Sequence, residues 1–493
     1  MTQPGQGGTL LYQYDDSGRL SAELYGRGFT EYTYDDTGLI HTAKTKHNHI
    51  DVRTDYRYHA GLIKDMRLRY GSKSDLHNVR LKFIYDSSAR LHRVEGDINS
   101  IPLKEVIIRF DNQTGILNLI SDLRIIRNNI LETMLQNPDK DFVNTRLQDH
   151  YGRLAEVDMM LQGRTVFMMK LKYDNRNRIS ERLIAAAGRR EGSNVTYTPD
   201  GEILKVYGTL NWTYSYDENG NIEQNDKTES LTYDECDRVI RVGENRVVYD
   251  DRGFVISIDN QNFEYNTKGL LVSAWDREQK WSFTLGYDHL DRISVYRDHQ
   301  KNATQIIYGR PDLPDLITHL HNPHTGATIH LLYDDMNHLI AMDQPDGRYY
   351  VAPDQNGTPF AIFDHFGSQI RSLVWTPFGL LKDFSGTSME IGVGPWGRFR
   401  EPHTGLILFR GHAYNPRIIQ WMTPRWGHLT NPKRLVTDVF VYRFMNNNPF
   451  VSPPGRDSHY YTGQWCLTLT QVCFILLLLN FLSITFLLII TYL

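Results

Sequence analysis

Hydrophobic and polar residues alternate along most of the chain in short runs that are separated by polar turns. Tyr12 and Tyr14 flank one polar residue, and Tyr32 and Tyr34 repeat this spacing. Residues two apart on a β-strand project from the same face, so each run predicts a strand with an aromatic face. Asp-x-x-Gly follows in the clear copies, and then Arg-Leu or a similar pair such as Leu39-Ile40. The repeated unit therefore predicts a series of β-hairpins.

The turn of this unit has aspartate at its first position and glycine at its fourth. The aspartate can accept a hydrogen bond from a backbone N–H two residues on, and glycine tolerates positive φ. Together they favour a hairpin loop of about four residues. In degenerate copies asparagine replaces the glycine, as at Asn177 and Asn337. The turn positions assigned from the clear copies are Asp15, Gly18, Asp35, Gly38, Asp217, Gly220, Asp250, Gly253 and Gly269.

Isolated hairpins are marginally stable, so these must bury their apolar faces against one another. Side by side they form a long antiparallel sheet, which has to curl or close because of its twist and its edges. The expected fold is all-β, with antiparallel hairpin repeats spiralling into a barrel-like shell. A β-propeller or a β-sandwich with ordinary turns is the alternative.

One segment, residues 116–149, departs from the pattern. Its apolar residues have helical spacing at Leu119, Leu123, Ile126, Ile130 and Met134, so a helix or an irregular insertion is one interpretation. Strands around a loop at residues 137–139 are the slightly favoured alternative.

Composition narrows the function classes. The chain has 493 residues, 29 of them tyrosine, and a net charge of -4. No stretch carries the clustered basic face that nucleic-acid binding requires. With only three cysteines, Cys236, Cys466 and Cys473, a disulfide framework and a cysteine zinc site are excluded. The first residues show no signal-peptide pattern, and the repeats begin almost at once, which suggests a fragment of a longer protein.

The carboxyl-terminal residues differ from the rest. Residues 451–465 have the composition of a linker, and residues 466–493 are uncharged and long enough to span a bilayer as a helix. A tail anchor, a removed lipid-anchor signal and a faulty gene model are the three interpretations, and the last is narrowly favoured.

The repeat resembles the YD or Rhs repeat of bacterial Rhs proteins, Tc toxins and animal teneurins. The end of the array resembles the Rhs-associated core, and its triple asparagine is closer to teneurins than to bacterial members. This resemblance divides the chain into a YD-repeat shell over 8–372 and a core-like end over 373–450. The landmarks of that end are 375–379 (WTPFG), 401–406 (EPHTGL), 414–416 (YNP), 420–424 (QWMTP) and 442–449 (YRFMNNNP).

The resemblance implies a non-enzymatic extracellular scaffold at the cell membrane of neurons, without a cofactor. Teneurins are type II membrane proteins whose shell lies outside the cell and acts in adhesion and trans-synaptic signalling. The implied partners are the ectodomain of a latrophilin-type adhesion receptor and a second teneurin, with membrane contact through the tail if the tail is real. A purely structural spacer is a further hypothesis that the sequence does not separate from adhesion.

A toxin-encapsulating shell is the alternative function. Bacterial Rhs cores cleave themselves with paired aspartates, and shared-proton carboxylates suit that chemistry. Here the corresponding positions are Asn415 and Arg425, and only Glu401 remains of the first motif. Because arginine cannot act as an acid at neutral pH, no catalytic residue is assigned and self-cleavage is disfavoured.

Histidines and sequons complete the candidate residues. His47 and His49, and His319, His321 and His324, have spacings that occur in metal sites, but no partner is well placed, so surface or hairpin histidines are expected and no metal site is assigned. The aspartate-rich turns lack the calcium-loop pattern. Asn302 is the first choice among the candidate N-glycosylation sites, which are Asn112, Asn194, Asn211, Asn302 and Asn356.

Overall fold

The computed structural model describes residues 9–26, 28–47, 50–71, 75–129, 131–186, 188–225, 229–300, 302–387, 389, 391–425 and 441–450. Within them, the expected all-β antiparallel architecture is confirmed, with 37 strands in one sheet and four in a second. The predicted linker over 451–465 and hydrophobic helix over 466–493 lie outside the described residues. None of the helices within these ranges has the length and hydropathy needed to cross a membrane.

The strands of the first half are short and follow one another closely. They are β1 (Leu10–Tyr14), β2 (Leu20–Tyr25), β3 (Gly28–Tyr34), β4 (Ile40–His47), β5 (Ile50–His59), β6 (Leu62–Tyr70), β7 (Val79–Tyr85), β8 (Leu91–Ile98), β9 (Ile101–Pro102), β10 (Val106–Phe110), β11 (Leu117–Ile120), β12 (Leu123–Asn129), β13 (Glu132–Gln136), β14 (Phe142–Gln148), β15 (Leu154–Leu161), β16 (Arg164–Tyr173), β17 (Ile179–Ala186), β18 (Arg189–Tyr197), β19 (Ile203–Gly208), β20 (Trp212–Tyr216) and β21 (Ile222–Asn225).

The second half continues in the same manner and ends in a small separate sheet. Its strands are β22 (Glu229–Tyr233), β23 (Val239–Val242), β24 (Asn245–Tyr249), β25 (Val255–Ile258), β26 (Gln261–Tyr265), β27 (Leu271–Asp276), β28 (Ser282–Tyr287), β29 (Ile293–Asp298), β30 (Ala303–Ile307), β31 (His319–His321), β32 (Thr328–Tyr333), β33 (Leu339–Gln344), β34 (Gly347–Pro353), β35 (Pro359–Phe363), β36 (Gln369–Trp375), β37 (Leu381–Gly386), β38 (Phe399–Arg400), β39 (Ile407–Phe409), β40 (His412–Asn415) and β41 (Gln420–Trp421), and the 3₁₀ turns are Pro395–Gly397 and Met445–Asn447.

The large sheet is a continuous meander. Each strand from β1 to β8 pairs antiparallel with the next, β8 pairs with both β9 and β10, and sequential pairing then runs from β10 to β37. The small sheet pairs β38 to β41 in chain order. Sequential hairpins thus supply almost every backbone partner, as local turn chemistry predicts.

The slightly favoured interpretation of residues 116–149 is confirmed, because β11 to β14 occupy this segment. The helical alternative is wrong. Burial along β12 alternates, with Leu123 and Ile125 buried and Arg124 exposed, which is the period of a strand rather than of a helix. Lys140 has a φ of 60° in the loop between β13 and β14.

Among the residues that the structure describes, the core consists of three hydrophobic clusters that join distant parts of the meander. Residues 50–108 pack with Val295, Ala303 and Ile307. Residues 120–186 pack with apolar residues between 332 and 363. Residues 195–296 pack with later residues that include the core-like end. Later strands therefore lie against earlier ones in the same order along the chain.

Candidate functional site

The repeat turns are closed by the side chain of their first residue. Asp15 Oδ1 accepts hydrogen bonds from the N–H groups of Ser17 at 3.0 Å and Arg19 at 2.9 Å. The Gly18 N–H donates to the Asp15 carbonyl at 2.9 Å, and Gly18 has a φ of 76°. The carboxylate thus satisfies backbone donors that the tight turn leaves without a strand partner.

The same geometry recurs at the other turns that were assigned from the sequence. The fourth position has φ values of 85° at Gly38, 78° at Gly220, 81° at Gly253 and 85° at Gly269. In the turn that ends at Gly269, the Oδ1 of Asn266 takes the place of the carboxylate oxygen and accepts the Leu270 N–H at 2.9 Å. Other residue types adopt this conformation in the degenerate copies, with φ of 62° at Asn177, 60° at Asn337, 61° at Ala89 and 57° at Asp237. The hydrogen bonds of the turn hold these residues in the left-handed backbone region, which glycine adopts more readily than other residues.

In several repeats, an arginine at the start of the return strand links one hairpin to the next. Arg19 Nε lies 2.7 Å from Asp15 Oδ2, and its guanidinium lies 4.5 Å from the ring centroid of Tyr34. The ion pair with Asp15 restricts the arginine side chain, and the cation–π contact with Tyr34 attaches that side chain to the following strand. The same triplet of aspartate, arginine and next tyrosine occurs at Asp149, Arg153 and Tyr173, at Asp174, Arg178 and Tyr197, at Asp234, Arg238 and Tyr249, and at Asp288, Arg292 and Tyr308.

In most repeats, the tyrosine before the turn also bonds to the preceding hairpin. The Tyr265 hydroxyl donates to the Val255 carbonyl at 2.8 Å, and the Tyr287 hydroxyl donates to the Leu271 carbonyl at 2.6 Å. A β-bulge lies directly before each of these two tyrosines and re-aims the ring toward that hairpin. We call these residues the tyrosine ladder: Tyr34, Tyr58, Tyr85, Tyr173, Tyr197, Tyr216, Tyr233, Tyr249, Tyr265, Tyr287, Tyr308 and Tyr333.

Sequence reasoning placed the tyrosine ring on a strand face and missed the function of its hydroxyl. The available signal was that tyrosine, rather than phenylalanine, recurs directly before the aspartate. Phe110 occupies that position without a hydroxyl, and it still lies under a guanidinium, that of Arg90, at 4.4 Å. At the last turn of the large sheet, Trp375 Nε1 donates to the Pro359 carbonyl at 2.6 Å and replaces the phenol.

Burial keeps the tyrosine of the triplet protonated, and hydrogen bonding keeps the aspartate ionised, as their contacts require. Burial raises the pKa of Tyr85 and of Tyr173 to about 12, so the phenols remain donors at neutral pH. The backbone hydrogen bond from Arg19, together with its side chain, lowers the pKa of Asp15, which therefore remains an acceptor.

Ion pairs connect strands that are far apart in the sequence. Lys104 Nζ lies 2.6 Å from Asp343 Oδ2, and Arg348 Nη1 lies 2.7 Å from Asp122 Oδ2. Arg146 is buried, and its Nη1 lies 3.2 Å from Asp334, which is 188 residues away in the sequence. These pairs align later strands with earlier ones at the same places as the hydrophobic clusters.

The core-like end contacts the repeat turns through their fourth residue. Backbone carbonyls there accept hydrogen bonds from side chains of this end: Asn448 Nδ2 to Gly201 O at 3.0 Å, Asn447 Nδ2 to Gly220 O at 2.8 Å, Gln420 Nε2 to Asp237 O at 2.9 Å and Tyr442 Oη to Gly253 O at 2.8 Å. The triple asparagine, which served in the sequence as a family landmark, thus binds two successive turns. Sequence reasoning missed this role, because the spacing of the turns in space is not visible in the motif.

An aromatic cluster supports these contacts. Tyr414 and Phe444 stack with centroids 3.6 Å apart, and both are fully buried. Trp396, Phe409 and Trp421 pack around them at centroid distances between 4.9 and 6.1 Å from Phe444. This cluster positions the side chains that reach the turns.

The positions that correspond to the cleavage motif carry other chemistry. Glu401 is completely buried, and it accepts the Tyr296 hydroxyl at 2.9 Å and both the N–H and the hydroxyl of Thr404 at 2.6 Å. Asn415 Oδ1 accepts the Arg417 N–H at 2.9 Å, and the Arg425 guanidinium lies 4.7 Å from the Trp421 ring centroid. The arrangement holds one hydrogen-bonded carboxylate and no carboxylate at position 415 or 425, so it does not form a shared-proton pair.

The histidines differ from the expectation in their burial. His319 and His321 belong to a hairpin, as expected, but they are 3% and 2% exposed, so the surface interpretation is wrong for them. His47 is also buried, with Nε2 at 2.7 Å from Asn266 Nδ2, whereas His324 is exposed and His49 lies outside the described residues. Among the residues that the structure describes, no group of three or more His, Cys, Asp or Glu side chains is placed to hold a metal ion.

The sequons divide by accessibility. Asn112, Asn194 and Asn211 are exposed. Asn302 is half-buried, and its Nδ2 donates to Asp298 at 3.1 Å, while Asn356 Nδ2 donates to the Pro449 carbonyl at 2.9 Å. Glycosylation at any of them stays a prediction.

Comparison with known proteins supports the same lineage. A family model for the Teneurin YD-shell matches residues 1–450. Teneurin-m of Drosophila melanogaster is 37% identical over 465 residues, which cover 93% of this chain and 17% of that protein. Teneurin-4 of Homo sapiens is 29% identical over 464 residues, covering 90% and 16%. The chain therefore spans only a small part of the length of these relatives.

Solved toxin structures share the fold at low identity. The Tc holotoxin pore of Photorhabdus luminescens aligns with a TM-score of 0.60 at 13% identity, covering 90% of this chain and 27% of that one. A TcdB2–TccC3 crystal structure without its hypervariable C-terminal region aligns with a TM-score of 0.61 at 13% identity, covering 91% and 27%. On the strength of the family match and of the relatives, this chain belongs to the teneurin family, and the part that matches is its YD-shell.

Proposed function

We propose that this chain is a non-enzymatic extracellular scaffold of a cell-surface protein, located at the cell membrane with its shell on the outer side. It mediates adhesion and trans-synaptic receptor binding and signalling in neuronal development. Membership of the teneurin family supports this proposal. The observation that carries it is the continuous sheet of 37 strands, in which turn carboxylates, arginines and the tyrosine ladder join neighbouring hairpins.

The proposal includes the closure of this sheet into a barrel-like shell. Two observations support closure. Later strands pack on earlier strands in the same order along the chain, and ion pairs such as Lys104–Asp343 also connect early strands to late strands. A sheet of this length must curl to accommodate its twist. A shell whose neighbouring hairpins are bonded to one another presents a preformed surface, which lowers the ordering cost of binding a partner.

The proposed partners are a latrophilin-type adhesion receptor ectodomain and a second copy of a teneurin shell. The test displays the whole chain on one population of cells and the receptor ectodomain, or the chain itself, on another. An unrelated ectodomain is the control. Aggregation with the receptor or with the chain, and not with the control, is expected. A chain that folds and reaches the surface but aggregates with neither partner would overturn the adhesion role.

The toxin-encapsulating shell is the alternative, since the fold is shared with Tc toxins. It requires cleavage between Asn415 and Arg425, where the chain carries an amide and a guanidinium. Prolonged incubation of the purified chain tests it by mass spectrometry, with the double variant Asn415→Asp and Arg425→Asp as the matched control. The unmodified chain is expected to stay intact. A fragment that ends within residues 415–425 in the unmodified chain would favour the container instead.

A further inference from the structure

A groove of about 570 Å³ lies between the turn that joins β19 to β20 and the last two strands of the large sheet. Its lining includes Leu210 and Asn211 on one side, and Val374 of β36 with Lys382 and Asp383 of β37 on the other. The asparagine, the lysine and the aspartate are exposed, and the leucine and the valine are half-buried, so solvent reaches both walls. A groove of this volume is large enough for a small ligand.

The groove lies beside an edge of the large sheet. Among the residues that the structure describes, β37 pairs only with β36, and every residue of β37 after Leu381 is exposed, including Phe384 at 49%. The Asp383 carboxylate accepts the Phe384 N–H at 2.8 Å, so one backbone donor of this strand is already bonded within the chain. An open edge with an exposed aromatic side chain is a template for pairing with other chains, and native proteins cover or charge such edges. A group that filled the groove would therefore protect β37.

The turn beside the groove contains a sequon, Asn211-Trp212-Thr213. The Oδ1 of Asn211 accepts the Gly208 N–H at 3.1 Å. Because the oxygen of this amide faces the backbone, its nitrogen points away from that bond, and both Asn211 and Thr213 are exposed. A glycan on Nδ2 leaves the oxygen able to accept, so the bond to Gly208 is compatible with the modification.

Two other sequons have their amide nitrogen bonded to the protein. The Nδ2 of Asn302 donates to Asp298 at 3.1 Å and to Gln300 at 3.3 Å, so a glycan there would break one of these bonds. The Nδ2 of the half-buried Asn356 donates to the Pro449 carbonyl at 2.9 Å and thus points toward the core-like end. The remaining two sequons, at residues 112 and 194, are exposed but do not line the groove.

We propose that Asn211 carries an N-linked glycan whose first sugars lie in this groove and cover the edge strand β37. In the transfer, Asn211 Nδ2 gives up one hydrogen as a proton and bonds to the anomeric carbon of a lipid-linked oligosaccharide. The bond from that carbon to the diphosphate of the donor breaks, and the diphosphate leaves with the electron pair. The apolar face of a sugar ring suits Leu210 and Val374, and its hydroxyls suit the charged Lys382 and Asp383. The inference rests on the extracellular location proposed above.

The whole chain, passed through the secretory pathway of cultured cells behind an appended leader, tests the site. Glycopeptide mass spectrometry should find sugar on Asn211, and Asn211→Gln should remove one step of the gel shift that deglycosylation produces. Thr213→Ala destroys the same sequon but keeps the bond to Gly208, so it should remove the same step even if Asn211→Gln does not fold. Asn302→Gln is the matched control and should remove none.

The outcomes separate this inference from the adhesion role. Sugar on other sequons with a bare Asn211, or no sugar on any sequon, overturns the inference, whatever the cell-aggregation test shows. Sugar on Asn211 in a chain that aggregates with neither partner overturns the adhesion role and leaves the modified site standing.

Digestion with a peptide N-glycosidase tests where the sugars lie. Release at Asn211 should be about tenfold slower from the native chain than from the denatured chain, equivalent to about 1.4 kcal/mol of contact with the groove. Val374→Ala removes part of the groove wall and should speed native release. Val143→Ala is the matched control, since Val143 is a half-buried valine of β14, and it should leave the rate unchanged. Equal rates in native and denatured chain, or an equal gain in both variants, would place the glycan outside the groove and overturn the assignment.

Discussion

Replacing Tyr265 by phenylalanine tests whether the tyrosine ladder holds neighbouring hairpins together. The Tyr265 hydroxyl donates to the Val255 carbonyl at 2.8 Å, and the two residues are 8% and 0% exposed. The substitution removes one oxygen atom and keeps the ring. A buried carbonyl that loses its donor costs about 1 to 3 kcal/mol. We expect the free energy of unfolding to fall by about 1 to 2 kcal/mol, because part of this cost is relieved by local adjustment.

Urea denaturation of the full chain measures this loss, and Tyr151→Phe is the control because Tyr151 is 70% exposed. The control should change the free energy of unfolding by less than about 0.5 kcal/mol. In a repeat array each unit contacts mainly its neighbours, so the effect should also be local. Native-state hydrogen exchange should become about tenfold faster for amides of β25 and β26, which corresponds to about 1.4 kcal/mol.

The ladder interpretation fails if Tyr265→Phe is no more destabilising than Tyr151→Phe. It also fails if exchange accelerates equally over the whole sheet, since a ladder bond joins only two adjacent hairpins. A loss of about 3 to 5 kcal/mol, the cost of truncating a buried aromatic side chain to alanine, would indicate that the ring itself has lost its packing.

Three further predictions follow from the structure. In urea denaturation, Gly253→Ala should destabilise the chain more than Gly18→Ala. Both glycines have positive φ, but only at Gly253 would the new Cβ overlap the hydroxyl of Tyr442 in the core-like end. Equal losses of stability in the two variants would exclude that contact. Arg146→Met should cost about 3 to 5 kcal/mol by leaving the buried Asp334 carboxylate unpaired, and Asp334→Asn in the same chain should recover part of the loss; no recovery would exclude the ion pair as the cause. Burial raises the pKa of Tyr70 from 10.0 to about 12, so this tyrosine loses its proton at lower pH in the unfolded chain than in the folded chain. The contribution of Tyr70 to the free energy of unfolding should therefore fall by about 1.4 kcal/mol for each pH unit between about pH 10 and pH 12. Because exposed tyrosines such as Tyr151 also ionise in the folded chain, the comparison is with Tyr70→Phe: a variant whose free energy of unfolding falls as steeply with pH as that of the unmodified chain would contradict this expectation.

Local structure was predictable where a few adjacent residues decide it. The turns depend on an aspartate side chain and on the φ of one residue, and both act within the turn itself. Even Asn177 and Asn337, at degenerate copies, have φ values of 62° and 60°. The segment 116–149 was ambiguous for the opposite reason, since its short apolar runs fit two periods and only pairing with neighbouring strands selects one.

Contacts between distant strands could not be predicted from the motif. Many aspartates and arginines repeat along the chain, and nothing in the motif says that Arg146 meets Asp334. The burial of His319 and His321 was missed for the same reason, because a histidine in a polar hairpin has no local signal of the strand that will cover it.

By itself, the sequence determined that this protein is a chain of antiparallel hairpins, because tyrosine spacing, turn carboxylates and glycine act over a few residues. Only the tertiary structure decided which hairpins lie against one another and how the triple asparagine binds the turn carbonyls. Those contacts depend on the twist and bulges added by every intervening strand, and such small angles accumulate over the whole sheet rather than at any one motif.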